Sequence, residues 1–199
     1  MFISFEGGEG CGKSTHAEML KKYLESAGKQ VVITREPGGT ALGGTLRKIL
    51  LDDDLSIEPL TEMLFFGADR VEHVEKVIRP ALAEGKIVIS DRFIDSTIAY
   101  QLGGRVLPED MVRYINWIAS KGLVPDLTFL LDVPVEEGLK RTAARGKTNR
   151  FEKEIVQFHE RVRDKYLEIA AGNPGRVKVI DTFKGIEETQ KEIRGYLKI

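Results

Sequence analysis

The sequence has little of several features that define whole classes of protein. One cysteine in 199 residues excludes an internal disulfide framework and suits a reducing compartment. The 30 basic and 31 acidic residues leave a net charge of −1, so no overall field attracts nucleic acid or a membrane surface. No apolar run approaches the ~18 residues of a membrane span, and no secretory signal follows Met1. We therefore expect a cytoplasmic protein with a single domain, residues 1–199.

Glycine is concentrated near the amino terminus, where Gly7 to Ser14 reads G-x-x-x-x-G-K-S between an apolar run and a helical pattern. This is the strand–loop–helix context of a phosphate-binding loop. Its glycines let backbone N–H groups approach a polyphosphate, and the start of a helix favours an anion. Lys13 is expected to reach the β- and γ-phosphates, and the Ser14 hydroxyl is expected to bind Mg²⁺. The predicted ATP-binding residues are Gly7, Gly8, Glu9, Gly10, Cys11, Gly12, Lys13, Ser14 and Thr15.

Five short apolar runs recur along the chain, separated by longer segments of helical period. They are Phe2–Phe5, Val31–Thr34, Ile87–Ser90, Leu127–Leu131 and Val177–Ile180. Each is nearly continuous rather than alternating, as is typical of strands that are buried on both faces. The pattern predicts an α/β fold with a five-stranded parallel sheet flanked by helices, the three-layer P-loop NTPase arrangement. Ligands of such sheets bind at the carboxyl ends of the strands.

Asp91 and Arg92 follow the third apolar run directly. An aspartate in this place is suited to hold Mg²⁺ through water, and the planar guanidinium group of Arg92 is suited to bind a phosphate. The alternative is an ion pair that only fixes the end of the strand. We also expect Asp95 to cap the helix that follows. Residues four apart share a face of that helix, which pairs Ser96 with Tyr100 and Thr97 with Gln101.

A helical segment from Glu62 onward places an aromatic ring and a guanidinium group on one face, because Phe66 and Arg70 are four residues apart. A flat ring can stack on a nucleobase, which is worth about 1–3 kcal/mol in single-strand binders. Core packing is the alternative for Phe66, and Phe65 is expected in the core.

Further apolar residues suggest packing. The stripe Val71, Val74, Val77, Ile78 and Ala81 suits either the core or a dimer face. Trp117 is expected to fill volume in the core. His16, His73 and His159 form no metal-binding pattern and are expected to be structural or exposed.

Five cations crowd into residues 140–150, after the fourth predicted strand. Arg141 and Arg145 are four residues apart and repel each other unless an anion lies between them. Gly146 interrupts the helical pattern and suits a hinge. The arrangement fits a lid near residues 139–151 that closes on ATP and brings an arginine to the transferring phosphoryl group. A solvated basic loop is the alternative.

The run from Ile89 to Gln101, I-S-D-R-F-I-D-S-T-I-A-Y-Q, resembles the signature of the thymidylate kinase family. Similar segments cover nearly the whole chain, namely Phe5–Gly7, Arg35–Gly39, Leu64–Arg70 and the arginine-rich region near 141–150. The resemblance implies phosphoryl transfer from ATP to dTMP, giving ADP and dTDP for dTTP synthesis. It also implies Mg²⁺ as cofactor and a homodimer, with no nucleic-acid polymer or membrane as partner.

The resemblance implies roles for individual residues of the acceptor site. Arg92 is expected to bind the dTMP phosphate, Phe66 to stack on thymine and Arg70 to bond its O4. The other members of the predicted substrate-binding set are Glu36, Arg47, Thr97, Tyr100 and Gln101. Of these, Thr97 and Gln101 are expected at the base edge, and Tyr100 is expected to crowd the 2′ position of the sugar. Arg47 is equally suited to a solvated helix surface.

The metal and catalytic sets follow from the same resemblance. Glu9 is expected near the 3′-hydroxyl and the metal, so the predicted metal ligands are Ser14, Asp91 and Glu9. Gly10 stands where one subclass of the family carries a basic residue, so we expect the lid to supply the charge that the transition state needs. The predicted catalytic residues are Lys13, Arg92, Glu9, Arg145 as the chief lid arginine, and Arg141 and Arg150 as its assistants.

Two other functions are weighed against this one. A regulatory GTPase would carry a guanine-specific Asn-Lys-x-Asp after the fourth strand, whereas this chain continues as Leu-Asp132-Val-Pro134. A kinase of the same fold with another nucleoside or monophosphate acceptor shares Asp91-Arg92-Phe93, so that motif alone does not decide. Phe66, Arg70 and Tyr100 favour dTMP.

Overall fold

The computed structural model describes residues 1–144, 146 and 149–197. Its centre is a parallel sheet of five strands in the order β2-β3-β1-β4-β5. The strands are β1 (Phe2–Glu6), β2 (Val31–Arg35), β3 (Ile87–Asp91), β4 (Leu127–Asp132) and β5 (Val177–Asp181). The predicted fold class and all five predicted strands are confirmed. Every strand runs one residue further than predicted, and each added residue is charged and lies at the carboxyl edge.

Helices flank the sheet and connect its strands. Their bounds are α1 (Lys13–Ser26), α2 (Ala41–Leu51), α3 (Pro59–His73), α4 (Arg79–Ala83), α5 (Ile94–Thr97), α6 (Glu109–Ser120), α7 (Val135–Ala143), α8 (Val156–Gly172) and α9 (Ile186–Gly195). Within the described part of the chain, no helix has both the length and the apolar character needed to cross a membrane.

The inner strands β3, β1 and β4 are buried, which explains why their sequences are nearly continuous apolar runs. All five residues of β1 are buried, and so are the first five of β4, because helices cover both faces there. Phe5 and Phe129 pack against each other at the centre, with ring centroids 5.4 Å apart. The outer strands β2 and β5 are only partly buried. The buried inner strands give the carboxyl edge of the sheet a rigid base.

Two helical segments are π-helical, at Val74–Ile78 and at Ile98–Gly104. The second begins where α5 ends, so the predicted regular helix through Gln101 is wrong. Ser96, Thr97, Tyr100 and Gln101 nevertheless all line one pocket. Such π-helical segments are frequent at functional sites.

The expectation that Asp95 caps a helix is also wrong. Phe93 holds the cap position of α5, and Asp95 lies inside the helix. Its carboxylate is committed instead to a bidentate pair with Arg176, at 2.7 and 2.9 Å. A long-range ion pair of this kind cannot be seen in local sequence.

The apolar stripe packs largely into the core, because Val74, Ile78 and Ala81 contact Phe2 and Val88 under the sheet. In contrast, the side chain of Trp117 is 64% exposed, so its predicted core position is wrong. Tyr114 and Ile118 are exposed beside it, and together they form an apolar strip on the outer face of α6.

Two smaller expectations have mixed outcomes. Phe65 is only half-buried rather than a core residue. All three histidines are buried, as structural residues are, and none is exposed.

Candidate active site

The phosphate-binding loop joins β1 to α1, and its residues from Glu9 to Ser14, apart from Cys11, line a polar cleft. Gly10 has a φ of +68°, and a Cβ there would lie 2.1 Å from the carbonyl oxygen of Gly138, so the close approach of α7 requires glycine. Lys13 is buried and donates to the carbonyl oxygens of Gly7 and Gly8 at 3.1 and 2.7 Å. The lysine is therefore held over its own loop, where the phosphates of a nucleotide would lie.

Cys11 turns away from the cleft and into the core. Its side chain is 1% exposed and packs with the inner strands, and its Sγ lies 3.4 Å from Nζ of Lys13. Only its backbone can contribute to nucleotide binding.

Ser14 and Asp91 meet at the open end of the loop. The Ser14 hydroxyl donates to Oδ2 of Asp91 at 2.5 Å, which joins the start of α1 to the end of β3. No group of three or more acidic, histidine or cysteine side chains lies close enough to enclose a metal ion in the part of the chain described. A hydroxyl beside one carboxylate suits Mg²⁺, which usually takes one or two protein oxygens and completes its shell with phosphate oxygens and water.

Arg92 is held in a strained backbone conformation just past β3. Its φ of +74° lies in the left-handed region, which costs a non-glycine residue of the order of 1–3 kcal/mol and clusters at functional sites. Hydrogen bonds retain it, because its N–H donates to the carbonyl of Phe5 at 2.9 Å and its carbonyl accepts from Ser90 at 2.7 Å. Its guanidinium group lies within 3.2 Å of polar atoms of Gly7, Glu9, Ser96, Tyr100 and Tyr166.

Glu9 is the charged partner of Arg92. Its Oε1 accepts from Arg92 at 2.8 Å and from the Tyr100 hydroxyl at 2.6 Å. Burial alone would raise the pKa of Glu9, but the charges of Arg92 and Lys13 and the bond from Tyr100 outweigh it and lower that pKa to about 2. The carboxylate is therefore ionised throughout the neutral range.

Glu6 is a functional candidate that we did not assign from the sequence. It is fully buried at the end of β1, and its carboxyl oxygens accept from the Phe93 amide at 2.8 Å, from Ser96 at 2.6 Å and from Tyr166 at 3.1 Å. Burial raises the pKa of Glu6 to about 8, and the nearby charge of Asp95 acts in the same direction. The sequence does show an acidic residue at the end of a buried strand, and this position could have identified Glu6 as a site residue.

Arg70 is held beside the cleft by four hydrogen-bond partners from three segments of the chain. Its side chain is 3% exposed and donates to Glu36 at 2.7 Å, Thr97 at 2.7 Å, Asn116 at 2.5 Å and the carbonyl of Phe93 at 2.9 Å. Four of its five N–H groups are thus occupied, and one remains for a ligand.

Glu36 links this arginine to a histidine. Its second oxygen lies 2.8 Å from Nδ1 of His73, whose Nε2 lies 2.6 Å from the Thr34 hydroxyl. Burial would raise the pKa of Glu36, but Arg70 and His73 lower it. Glu36 therefore acts on the pocket mainly by fixing Arg70.

Asp69 fastens the turn after β2 to α3. Its Oδ1 accepts from the Gly38 amide at 3.0 Å, while its buried Oδ2 has no partner among the described residues. Burial, together with the charge of Glu36, raises the pKa of Asp69 to about 6.

A pocket lies between this network and the phosphate-binding loop, and we call it the acceptor pocket because the sequence predicts that the phosphoryl acceptor binds there. Of the predicted substrate-binding residues, all eight line it, namely Glu36, Arg47, Phe66, Arg70, Arg92, Thr97, Tyr100 and Gln101. Arg47 therefore faces the pocket rather than solvent, and it donates to the carbonyl of Pro37 at 2.9 Å. Asn149 and Phe151 also line the pocket, although the sequence prediction placed them only in the lid.

The described parts of the predicted lid are held by carboxylates. Arg141 pairs with Glu137 on α7 at 2.9 Å. Arg150 is turned to the acceptor side, where it pairs with Glu62 at 2.8 Å and bonds the carbonyl of Leu50, so in this conformation it is committed away from the phosphate-binding loop. Arg145 lies outside the described residues, and its role stays a prediction.

The acceptor pocket is continuous with the polar cleft above the phosphate-binding loop. A second group of residues, including Lys13, Ser14 and Asp91, lines the cleft above the phosphate-binding loop. Both cavities share five residues, Glu9, Glu36, Arg47, Arg92 and Asn149. Two anionic ligands could therefore meet end to end beside Arg92, one over the glycine loop and one in the pocket.

Comparisons with known proteins agree with this geometry. A sequence model of the family "Thymidylate kinase" matches residues 5–193. The thymidylate kinase of Geotalea uraniireducens is 47% identical over 199 residues, covering 96% of this chain and 93% of that protein. The thymidylate kinase of Gloeobacter violaceus is also 47% identical and covers 100% of this chain and 95% of that protein. A crystal structure of thymidylate kinase from Ehrlichia chaffeensis superposes with a TM-score of 0.82 at 38% identity, covering all of this chain and 98% of the other.

Proposed function

The chain belongs to the thymidylate kinase family, and we propose that it transfers the γ-phosphoryl group of ATP to dTMP, giving ADP and dTDP. In this reaction a phosphate oxygen of dTMP bonds to the γ-phosphorus while the bond to the β–γ bridging oxygen breaks. We assign the reaction to one catalytic domain formed by residues 1–199. Because ATP and deoxynucleotides are cytoplasmic metabolites, we also propose a cytoplasmic location.

The continuity of the two cleft regions carries the proposal. One region is built from a glycine loop and Lys13, which suit a triphosphate, and the other offers an aromatic ring, amides and arginines, which suit a nucleoside monophosphate. Arg92 and Glu9 belong to both regions. An acceptor phosphate held by Arg92 would therefore face the end of a triphosphate held by Lys13.

Positioning and charge neutralisation account for the chemistry. The attacking oxygen of dTMP is already anionic, so no general base is needed. Arg92 binds the acceptor phosphate, Lys13 neutralises the donor phosphates, and Glu9 holds Arg92 and Tyr100 in place from within the cleft. In the approach of two anions, these fixed cations lower the repulsion that otherwise opposes the reaction.

We propose Mg²⁺ as the cofactor, held by the Ser14 hydroxyl and the Asp91 carboxylate, with Glu9 as a further candidate ligand. When bound, the ion would neutralise the phosphate charge that develops during transfer. The 2.5 Å contact between Ser14 and Asp91 supports the proposal, because the two oxygens are already side by side.

The pocket supports dTMP as acceptor through three kinds of contact. Phe66 offers a ring for stacking on the base, and the remaining N–H of Arg70 is available to O4. Thr97 and Gln101 lie in the same pocket for the base edge. Tyr100 is buried beside Arg92, with the guanidinium carbon 4.8 Å from its ring centroid, so its ring is fixed where it would exclude a 2′-hydroxyl group.

We further propose that a lid arginine, chiefly Arg145, neutralises charge at the transferring phosphoryl group. Support comes from the loop, where Gly10 provides no side chain and contacts Gly138 too closely to accept one. Arg141 and Arg150 could assist only after leaving Glu137 and Glu62.

A homodimer is proposed on the exposed apolar strip of α6. Tyr114, Trp117 and Ile118 are each at least 45% exposed, and Leu64 is 50% exposed on the neighbouring helix α3. Exposed apolar clusters of this kind favour protein interfaces. The apolar stripe that includes Val74 and Ile78 was the earlier candidate for a dimer face. Its buried members pack into the core, so we propose the strip on α6 as the interface instead.

An assay of ADP release with dTMP, dUMP, UMP, CMP and thymidine tests the function. We expect dTMP to give the highest kcat/KM, and we expect dUMP to be a poorer substrate because one methyl group is worth about 1–3 kcal/mol in a pocket. Activity with thymidine but not with dTMP would contradict the proposal, because Arg92 is assigned to an acceptor phosphate.

A further inference from the structure

Glu62 is a fully buried carboxyl group behind the acceptor pocket that none of the steps above uses. It lies on α3, four residues before Phe66, with no exposed surface. Gln101 donates to it through Nε2 at 3.0 Å, and Arg105 donates through Nε and Nη2 at 3.1 and 3.0 Å. Arg150 forms an ion pair with it at 2.8 Å. The carboxyl group therefore joins α3, the 98–104 π-helix with the residue that follows it, and the end of the lid.

Its partners determine what Glu62 can offer to Gln101. Glu62 forms ion pairs with two guanidinium groups, and a carboxylate can only accept hydrogen bonds. The side-chain amide of Gln101 must then turn its NH₂ group toward Glu62. Its carbonyl oxygen is left for the pocket, which Gln101 lines.

The cations at this junction have other partners, whereas the amide depends on Glu62. Arg105 also donates to Glu154 at 2.5 Å, and Arg150 also bonds the carbonyl of Leu50. The Nε2 atom of Gln101 has Glu62 as its partner in the described structure. Neutralising Glu62 would remove the preference of the amide for one orientation, because a neutral amide can both donate and accept.

We propose that Glu62 is a positioning residue that fixes Gln101 so that the pocket presents a hydrogen-bond acceptor to the acceptor base. The inference rests on the proposed function, in which the base of dTMP lies in this pocket. Thymine carries a donor at N3–H, which suits the carbonyl oxygen of Gln101. Cytosine carries a lone pair at N3, which faces that oxygen unfavourably. Selection of thymine over cytosine then depends on a residue that does not touch the substrate.

The test compares dTMP with dCMP in Glu62→Gln, measuring kcat/KM for each and the inhibition constant of dCMP against dTMP. We expect the preference for dTMP to fall at least tenfold, because the freed amide can turn its NH₂ group to cytosine N3. Glu154→Gln is the matched control, since it neutralises the other carboxylate of Arg105 without touching Gln101, and its preference should stay within twofold of wild type. Because the preference is a ratio within one preparation, partial unfolding does not alter it.

Equal losses with both nucleotides in Glu62→Gln would overturn the proposal and leave Glu62 a structural residue. If this variant does not fold, Glu62→Asp retains the charge but shortens the reach to Gln101, and the same fall is expected. Gln101→Met in the wild-type background provides an independent test, and an unchanged preference there would also overturn the proposal. A wild-type enzyme that fails to phosphorylate dTMP would instead overturn the proposed function.

Discussion

The donor and acceptor regions of the cleft are built in different ways. The donor region consists of consecutive residues, and Lys13 and Ser14 are occupied by their own loop and by Asp91. The acceptor region assembles Arg70 and Arg92 from separate elements and holds each with several partners. Lys13 and Ser14 must exchange these contacts when a nucleotide binds, and Arg92 must exchange at least one of its own. Arg70 instead keeps one N–H for a ligand while its other partners stay in place, so this part of the acceptor region is preorganised and loses little freedom on binding.

The same contrast applies to charge. In the acceptor region, two arginines each have their own carboxylate: Glu36 for the buried Arg70, and the partly buried Glu9 for Arg92, which is also partly buried. Removing an arginine there leaves a buried or partly buried carboxylate without its partner, which costs far more than a surface pair. Removing a cation from the acceptor region is therefore expected to reduce activity more than removing one from the donor region.

Arg92→Ala should have the largest effect. We expect kcat/KM for dTMP to fall about 10²- to 10³-fold, because the variant loses the phosphate contact and leaves the partly buried Glu9 without its cation. Steady-state kinetics with varied dTMP would measure the loss. Arg176→Ala is the matched control, since it breaks another partly buried arginine–carboxylate pair, with Asp95, whose residues do not line the cleft. It should lower the free energy of unfolding but keep KM for dTMP, and a similar kinetic loss in both variants would contradict the assignment.

The same contrast explains what could be predicted from the sequence. The phosphate-binding loop is consecutive, so its spacing alone indicates a nucleotide site. The five strands were found because buried parallel strands are continuous apolar runs. The partners of Arg70 could not be found in this way, because Glu36 and Asn116 lie 34 and 46 residues away. Trp117 was misplaced because aromatic character does not tell a core position from an exposed helix face.

Arg145→Ala tests the donor region through the lid. We expect kcat to fall about tenfold to a hundredfold, with KM for dTMP unchanged, because the charge is needed mainly in the transition state. Lys140→Ala removes a cation from the exposed surface of α7 and should leave kcat close to wild type. A loss below about tenfold in Arg145→Ala, or about 1.4 kcal/mol, would contradict the catalytic role.

Glu6→Gln tests how the buried carboxyl group beside the acceptor region makes the stability of the protein depend on pH. Since the folded-state pKa of Glu6 is raised to about 8, the folded protein binds a proton that the unfolded chain releases near its ordinary value. Its contribution to stability is therefore complete below that ordinary value and is lost as the pH rises toward 8. From about pH 6 to about pH 7.5 the wild type should lose about 2 kcal/mol through this group.

Glutamine resembles the protonated acid, so Glu6→Gln should remove this loss. Chemical unfolding at several pH values would measure it, and the difference between variant and wild type isolates Glu6 from other titrating groups. Glu18→Gln, on the exposed surface of α1, should follow the wild-type profile. Parallel profiles for Glu6→Gln and wild type would show that the buried carboxyl group does not titrate in this range.

The smallest expected effects come from adding one methyl group at two adjacent positions of α2. A Cβ at Gly43 would lie 2.1 Å from Oδ1 of Asp69, the oxygen that holds the Gly38 amide, whereas a Cβ at Gly44 meets nothing within 4 Å. Gly43→Ala should therefore destabilise the protein by about 1–2 kcal/mol and raise KM for dTMP, because the turn that carries Glu36 must move. Gly44→Ala should stabilise it by about 0.5–1 kcal/mol, since alanine favours a helix interior. Changes of opposite sign in the free energy of unfolding, measured with urea, would show that the acceptor region has no room for one methyl group at Gly43. Equal stabilities of the two variants would show that the Asp69 side chain moves to make room for it.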